Sequence, residues 1–133
     1  MKNLITGVAC MLLLSIFLIQ FTTNQVVHNK ILFAENDINS FIEEIKADGY
    51  ISNEAKLNLE NKLKTDLKDN NANITITGYM DSQNPKKRGD VISYEITYEI
   101  KGVIGADGML NMNDSNKALR TRSGAAASEY VSW

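Results

Sequence analysis

Apolar positions along the chain fall into distinct patterns. From Leu4 to Phe21 they form a solid run, with only Thr6, Ser15 and Gln20 as clear polar interruptions. Beyond it the run thins to a single stripe. Val27, Ile31, Ala34, Ile38, Phe41 and Ile45 recur at alternating steps of four and three, the spacing of one face of an α-helix. Ala55, Leu59, Leu63 and Leu67 repeat at steps of four and predict a second helical ridge. The period then changes. Asn73–Thr77 alternates briefly, and Val91–Ile100 alternates almost perfectly. Ile92, Tyr94, Ile96, Tyr98 and Ile100 share one face of that stretch, and Ser93, Glu95, Thr97 and Glu99 the other.

These patterns predict an α+β chain: a long N-terminal membrane-spanning helix, a second helix, then a small antiparallel sheet of three to four strands. No Pro or Gly interrupts the chain from Val8 to Asp48. One continuous helix ending near Gly49 fits this. So does a membrane helix joined to a separate surface helix through Thr22-Thr23-Asn24. Ser52 is the expected N-cap of a helix from Asn53 to about Asp69, with Asn70-Asn71 as its left-handed stop. Asp81–Asp90 is turn chemistry throughout. Gly102–Gly108 reads as an irregular connection, and Met109–Met112 with Ala118–Arg122 as a last hairpin. The expected organisation is a membrane anchor over 1–24, an amphipathic extension over 25–49 and an extracytoplasmic domain over 50–133.

At 1.5 Å per residue the first run spans roughly 27 Å, close to a bilayer's hydrocarbon thickness. Lys2 precedes it, and no Lys or Arg follows until Lys30. The positive-inside rule therefore puts the N-terminus in the cytoplasm and the rest outside, in a single-pass arrangement. The residues after the run, Gln20 to Gln25, lack the small pair that signal peptidase needs, which favours a retained anchor over a cleaved signal. The formal net charge is −2 with the signs interspersed. That excludes the basic face nucleic acid requires; Lys86-Lys87-Arg88 is a short loop run. Cys10 is the one cysteine, so no intrachain disulfide is available. It reads as a small apolar residue of the membrane helix.

The sequence offers little chemistry. His28, the one histidine, has no Cys, Asp or Glu at ligand spacing and no triad partners. Glu43-Glu44 reads as a solvated helix face. Asp107-Gly108 and Asp114-Ser115-Asn116 are fragments of calcium loops without the full spacing. Gly102, Gly105 and Gly108 do not match a phosphate loop. Asn73-Ile74-Thr75 and Asn113-Asp114-Ser115 fit the glycosylation pattern, which chance supplies often in an Asn-rich chain. No catalytic residue, metal ligand or cofactor site is expected.

Gly124-Ala125-Ala126-Ala127-Ser128-Glu129-Tyr130 resembles the processing motif of Flp-type prepilins, but it precedes Val131-Ser132-Trp133 and not an apolar helix. Gly7, between Lys2 and the apolar run, is the other candidate for prepilin-type processing, with Leu12 where a Glu is usual. More broadly, the short basic leader, the membrane helix running into Phe41-Ile42-Glu43-Glu44-Ile45, and the transition Asp48-Gly49-Tyr50-Ile51-Ser52-Asn53-Glu54 resemble the TadE-like minor pilin or pseudopilin group of tight-adherence systems. The resemblance covers nearly the whole chain as architecture. It implies a structural subunit, held by membrane lipid and joined through its N-terminal helix to other pilin-like subunits or assembly proteins. The stripe then divides. Val27 and Ile31 are expected to serve partners, Phe41 and Ile45 the subunit's own core, with Ile38 between. The competing expectations are a membrane-tethered binding domain that does not polymerise and a secreted protein freed by signal cleavage.

Overall fold

The computed structural model describes residues 1–105 and 116–132. Its elements are α1 (Lys2–Asp48), α2 (Asn53–Leu67), β1 (Ile74–Gly78), β2 (Val91–Lys101) and β3 (Lys117–Ala127). Among the described residues the strands form one antiparallel sheet in the order β1-β2-β3. The fold is α+β, as the patterning predicts. α1 is continuous through Thr22-Thr23-Asn24, which decides between the two helix arrangements. The expected strand at Met109–Met112 lies outside the described residues, and β3 takes β2 as its partner.

Two compact units divide the chain. One comprises Met1–Asn29 with Ile100–Ala118; the other comprises Lys30–Glu99 with Leu119–Trp133.

In the second unit α1 ends at Gly49 for a steric reason. Gly49 has φ +79°, and a Cβ there would come within 2.6 Å of the Lys86 carbonyl. Only glycine takes that conformation and that approach freely. The Gly49 carbonyl accepts from the Lys86 amide at 2.9 Å, tying the following loop to the helix end. The Ser52 side chain accepts from the Ala55 amide at 3.0 Å and caps α2, as its position predicts. The stop of α2 differs from expectation. The left-handed residue is Lys68 (φ 53°), not Asn70 or Asn71. Leu67 must stay on the buried ridge, so the chain reverses directly after it. Asp69 then turns the chain by accepting from the Asn71 amide at 3.0 Å.

The core of this unit lies between the two helices and one sheet face. Ile38, Phe41 and Ile45 of α1, Leu59 and Leu63 of α2, Ile76 of β1 and Ile92, Ile96 and Tyr98 of β2 are buried. β1 and β2 pair with Ile76 opposite Ile96. The Thr97 hydroxyl lies 3.2 Å from that of Thr121, and the Ser128 amide donates to the Asp90 carbonyl at 2.8 Å. This register sets Gly124 opposite Tyr94. A Cβ on Gly124 would approach the Tyr94 hydroxyl to 2.8 Å. The run Gly124–Ala127 is therefore the second half of β3, with a glycine where a tyrosine ring crosses it. β3 extends five residues past the expected end at Arg122. The other face of β2 is not uniformly wet, since Glu99 is buried.

In the first unit α1 exposes its apolar residues, including Leu4, Leu12, Phe17 and Phe21. The residues following β2 form a short strap, Gly102–Gly105, packed on the helix around Ile19–Thr23.

Candidate membrane anchor and interaction surfaces

Within Lys2–Asp48 the apolar window is long enough to cross a membrane, and none of it is buried. A core helix of a soluble domain would hide this face, whereas here it is exposed. Gly7 lies on this helix in open space: a Cβ there would meet nothing within 4 Å. Cys10 is exposed and free, and His28 is exposed.

One polar group inside the run is fully engaged. The Gln20 amide nitrogen donates to the Val103 carbonyl at 3.1 Å and to Asn24 Oδ1 at 2.9 Å. Its oxygen accepts from the Gly105 amide at 3.0 Å. Asn116 grips the same strap from the other side. Its oxygen accepts from the Ile104 amide at 2.6 Å, and its nitrogen donates to the Ile104 carbonyl at 2.9 Å. Asn116 is 4% exposed. Of the expected calcium-loop fragments, this is the one residue described, and its amide is spent on backbone. Asp107 and Asp114 lie outside the described residues.

The stripe residues divide by position. Val27, in the first unit, is half-buried. In the second unit Ile31 is half-buried, while Ile38, Phe41 and Ile45 are buried. The periodicity does not single out Leu32 and Phe33, 48% and 56% exposed. Val26 of the first unit is likewise exposed. The available signal is local: two bulky apolar residues adjoin the stripe positions Ile31 and Ala34, so they cannot share its face.

The second unit carries a mixed-charge groove of about 1160 Å³. Asn39, Glu43 and Lys46 of α1 line one side, Tyr94 the floor, and Arg122 with Ala125–Ala127 the other; Arg88 stands at the rim. Its charges are largely internal. Lys46 pairs with Glu43 at 2.8 Å, and Arg122 pairs with Glu35 while also donating to Asn39. The prepilin-like stretch Gly124–Tyr130 forms one wall and a clasp. The Ser128 hydroxyl donates to the Lys86 carbonyl at 2.6 Å, and the Glu129 amide to the Lys46 carbonyl at 2.8 Å. That stretch is thus used up by the fold.

Between the helices, Asp37 of α1 faces Asp66 of α2. One Asp37 oxygen is buried with no hydrogen-bond partner. Burial, and then the Asp66 carboxyl, push Asp37 up to about 6, against the pull of Lys62. The Tyr98 hydroxyl is buried without a well-formed hydrogen bond. Burial first, then Glu35, raise its titration above the usual phenol range, while Arg120 and Arg122 oppose this. Among the described residues no three His, Cys, Asp or Glu side chains gather as metal ligands.

Comparison with protein-family models, with curated proteins and with solved structures finds no match for this chain.

Proposed function

We propose that this chain is a membrane-anchored structural subunit of the pilin-like kind, a minor pilin or pseudopilin of a pilus or secretion assembly. Its N-terminus lies in the cytoplasm and its α+β domain outside. The observation that carries the reading is the double use of α1. Its first part bares a solid apolar surface, while Ala34, Ile38, Phe41, Ile42 and Ile45 of the same helix are buried in the domain core. A tether needs no such continuity, because a flexible linker would suffice. A subunit that must transmit position from membrane to domain does need it. Leu32 and Phe33 add apolar surface on α1 beyond the membrane run, which suits a neighbouring helix. The resemblance to the TadE-like group belongs to this reading.

The groove beside Tyr94 and Arg122 favours the second reading, a tethered domain that binds a ligand and does not polymerise. Cross-linking in native membranes separates the two. The wild-type chain should give a ladder of oligomers and Val27→Asp should not, with the domain still folded. Ladders unchanged by Val27→Asp, or monomer alone in the wild type, would favour the tethered monomer.

A further inference from the structure

Gln20 sits one residue inside the outer end of the apolar run Leu4–Phe21. The strap it holds is therefore fixed at the level of the bilayer surface, provided that the run spans the membrane as proposed above. We propose that the strap Gly102–Gly105 is a second membrane contact, held by Gln20 against the lipid headgroup region of the outer leaflet.

The contact is built, not casual. Gln20 engages the strap through both ends of its amide, to the Val103 carbonyl and from the Gly105 amide. Gly105 lies so close to α1 that a Cβ would collide with Thr23 Oγ1 and with Ile19. Asn116 binds both backbone groups of Ile104. The Gly102 amide donates to the Asn116 carbonyl at 2.9 Å and closes the strap's base. The backbone groups that lipid could not satisfy are thus largely satisfied by protein, the condition for placing irregular chain at a membrane surface.

The chemistry of the strap fits lipid over a second protein. Val103 and Ile104 are apolar and each half-buried, leaving part of both surfaces open beside the exposed apolar face of Ile19. That open surface continues the one already assigned to the bilayer.

The strap would then set how deep the helix sits. A bare helix can slide along the bilayer normal by a residue or two at small cost. A helix carrying a strap bonded at Gln20 has one depth at which Val103 and Ile104 meet the interface.

The test uses the full chain in a Cys10→Ser background, in vesicles of phosphatidylcholine and phosphatidylglycerol. A fluorophore is placed at Val103→Cys or at Phe17→Cys. Quenching is measured with headgroup nitroxide lipid, deep-acyl nitroxide lipid and aqueous iodide. Phe17→Cys should respond to the deep quencher. Val103→Cys should respond chiefly to the headgroup quencher and be shielded from iodide. Adding Gln20→Leu, which keeps the helix apolar but removes both bonds to the strap, should cut the headgroup response by about twofold or more. If position 17 responds to the deep quencher while position 103 responds to iodide alone, the strap contact is overturned and the anchor stands. Iodide quenching at position 17 would overturn the anchor and the strap together. A headgroup response untouched by Gln20→Leu would overturn the role of Gln20.

Discussion

Glu35 of α1 and Arg122 of β3 form an ion pair that ties an edge strand of the sheet to the helix. Asn39, one turn further along α1, accepts from the same guanidinium at 3.3 Å. The side chains are 27% and 37% exposed, so solvent screens the pair and its contribution is small, under about 1 kcal/mol. Arg122→Met keeps the stem packing and removes the charge. It should lower stability by no more than that, and the difference from wild type should shrink in 1 M salt, where the Debye length falls to about 3 Å. Denaturant titration of the detergent-solubilised chain at low and high salt measures both. A deficit that persists in salt would show that Arg122 acts through packing.

The Asp37–Asp66 contact gives stability a pH dependence. Folding raises Asp37 to about 6 from an ordinary 3.8. The folded state therefore holds the proton more tightly than the unfolded one. That contribution is fully present below about 3.8 and is lost as the pH rises through about 6. Asp37→Asn keeps the shape and removes the titration. Its melting temperature relative to wild type should rise between pH 4 and pH 7. A constant offset across that window would contradict the raised Asp37 titration.

Ile96 is fully buried opposite Ile76, while Ser93, three residues away on β2, is exposed. Ile96→Asp should cost several kcal/mol through an unpaired buried carboxylate. Ser93→Asp should stay within about 0.5 kcal/mol. Equal melting temperatures would mean that the strand register is wrong. Thr97 is a poorer control than its alternation suggests, because it is half-buried between Thr75 and Thr121.

That alternation is why β2 was legible in the sequence. A strand with one buried face writes its period directly, and Leu59, Leu63 and Leu67 write theirs in the same way. The second half of β3 was not legible, because Gly124 answers to Tyr94 on another strand and the alanines after it carry no period of their own. The left-handed stop at Lys68 was hidden for a similar reason: the burial of Leu67 sets it, not the preference of Asn70 or Asn71. The strap was hidden most completely. Gln20 and Gly105 are far apart in sequence, and a polar residue in an apolar run reads only as an interruption until its partner is seen.

Two phenylalanines on α1 separate core from surface. Phe41 is 3% exposed and Phe33 is 56% exposed. Phe41→Ala should lower stability by about 3–5 kcal/mol. Phe33→Ala should change it by less than about 0.5 kcal/mol yet weaken the cross-linked ladder in membranes. Stability is read by denaturation and assembly by cross-linking. If Phe33→Ala leaves the ladder intact, the exposed face around it has no part in assembly.

As proposed, one helix anchors the chain in the membrane and holds its folded domain on the extracytoplasmic side. Protease accessibility in intact spheroplasts, with an epitope tag after Trp133, tests it most directly. The expected result is loss of the tag to added protease, with the untreated chain remaining in the membrane pellet after a high-salt wash. A tag protected until the spheroplasts are lysed, or a chain recovered free of membrane with its N-terminus near Thr23, would contradict it.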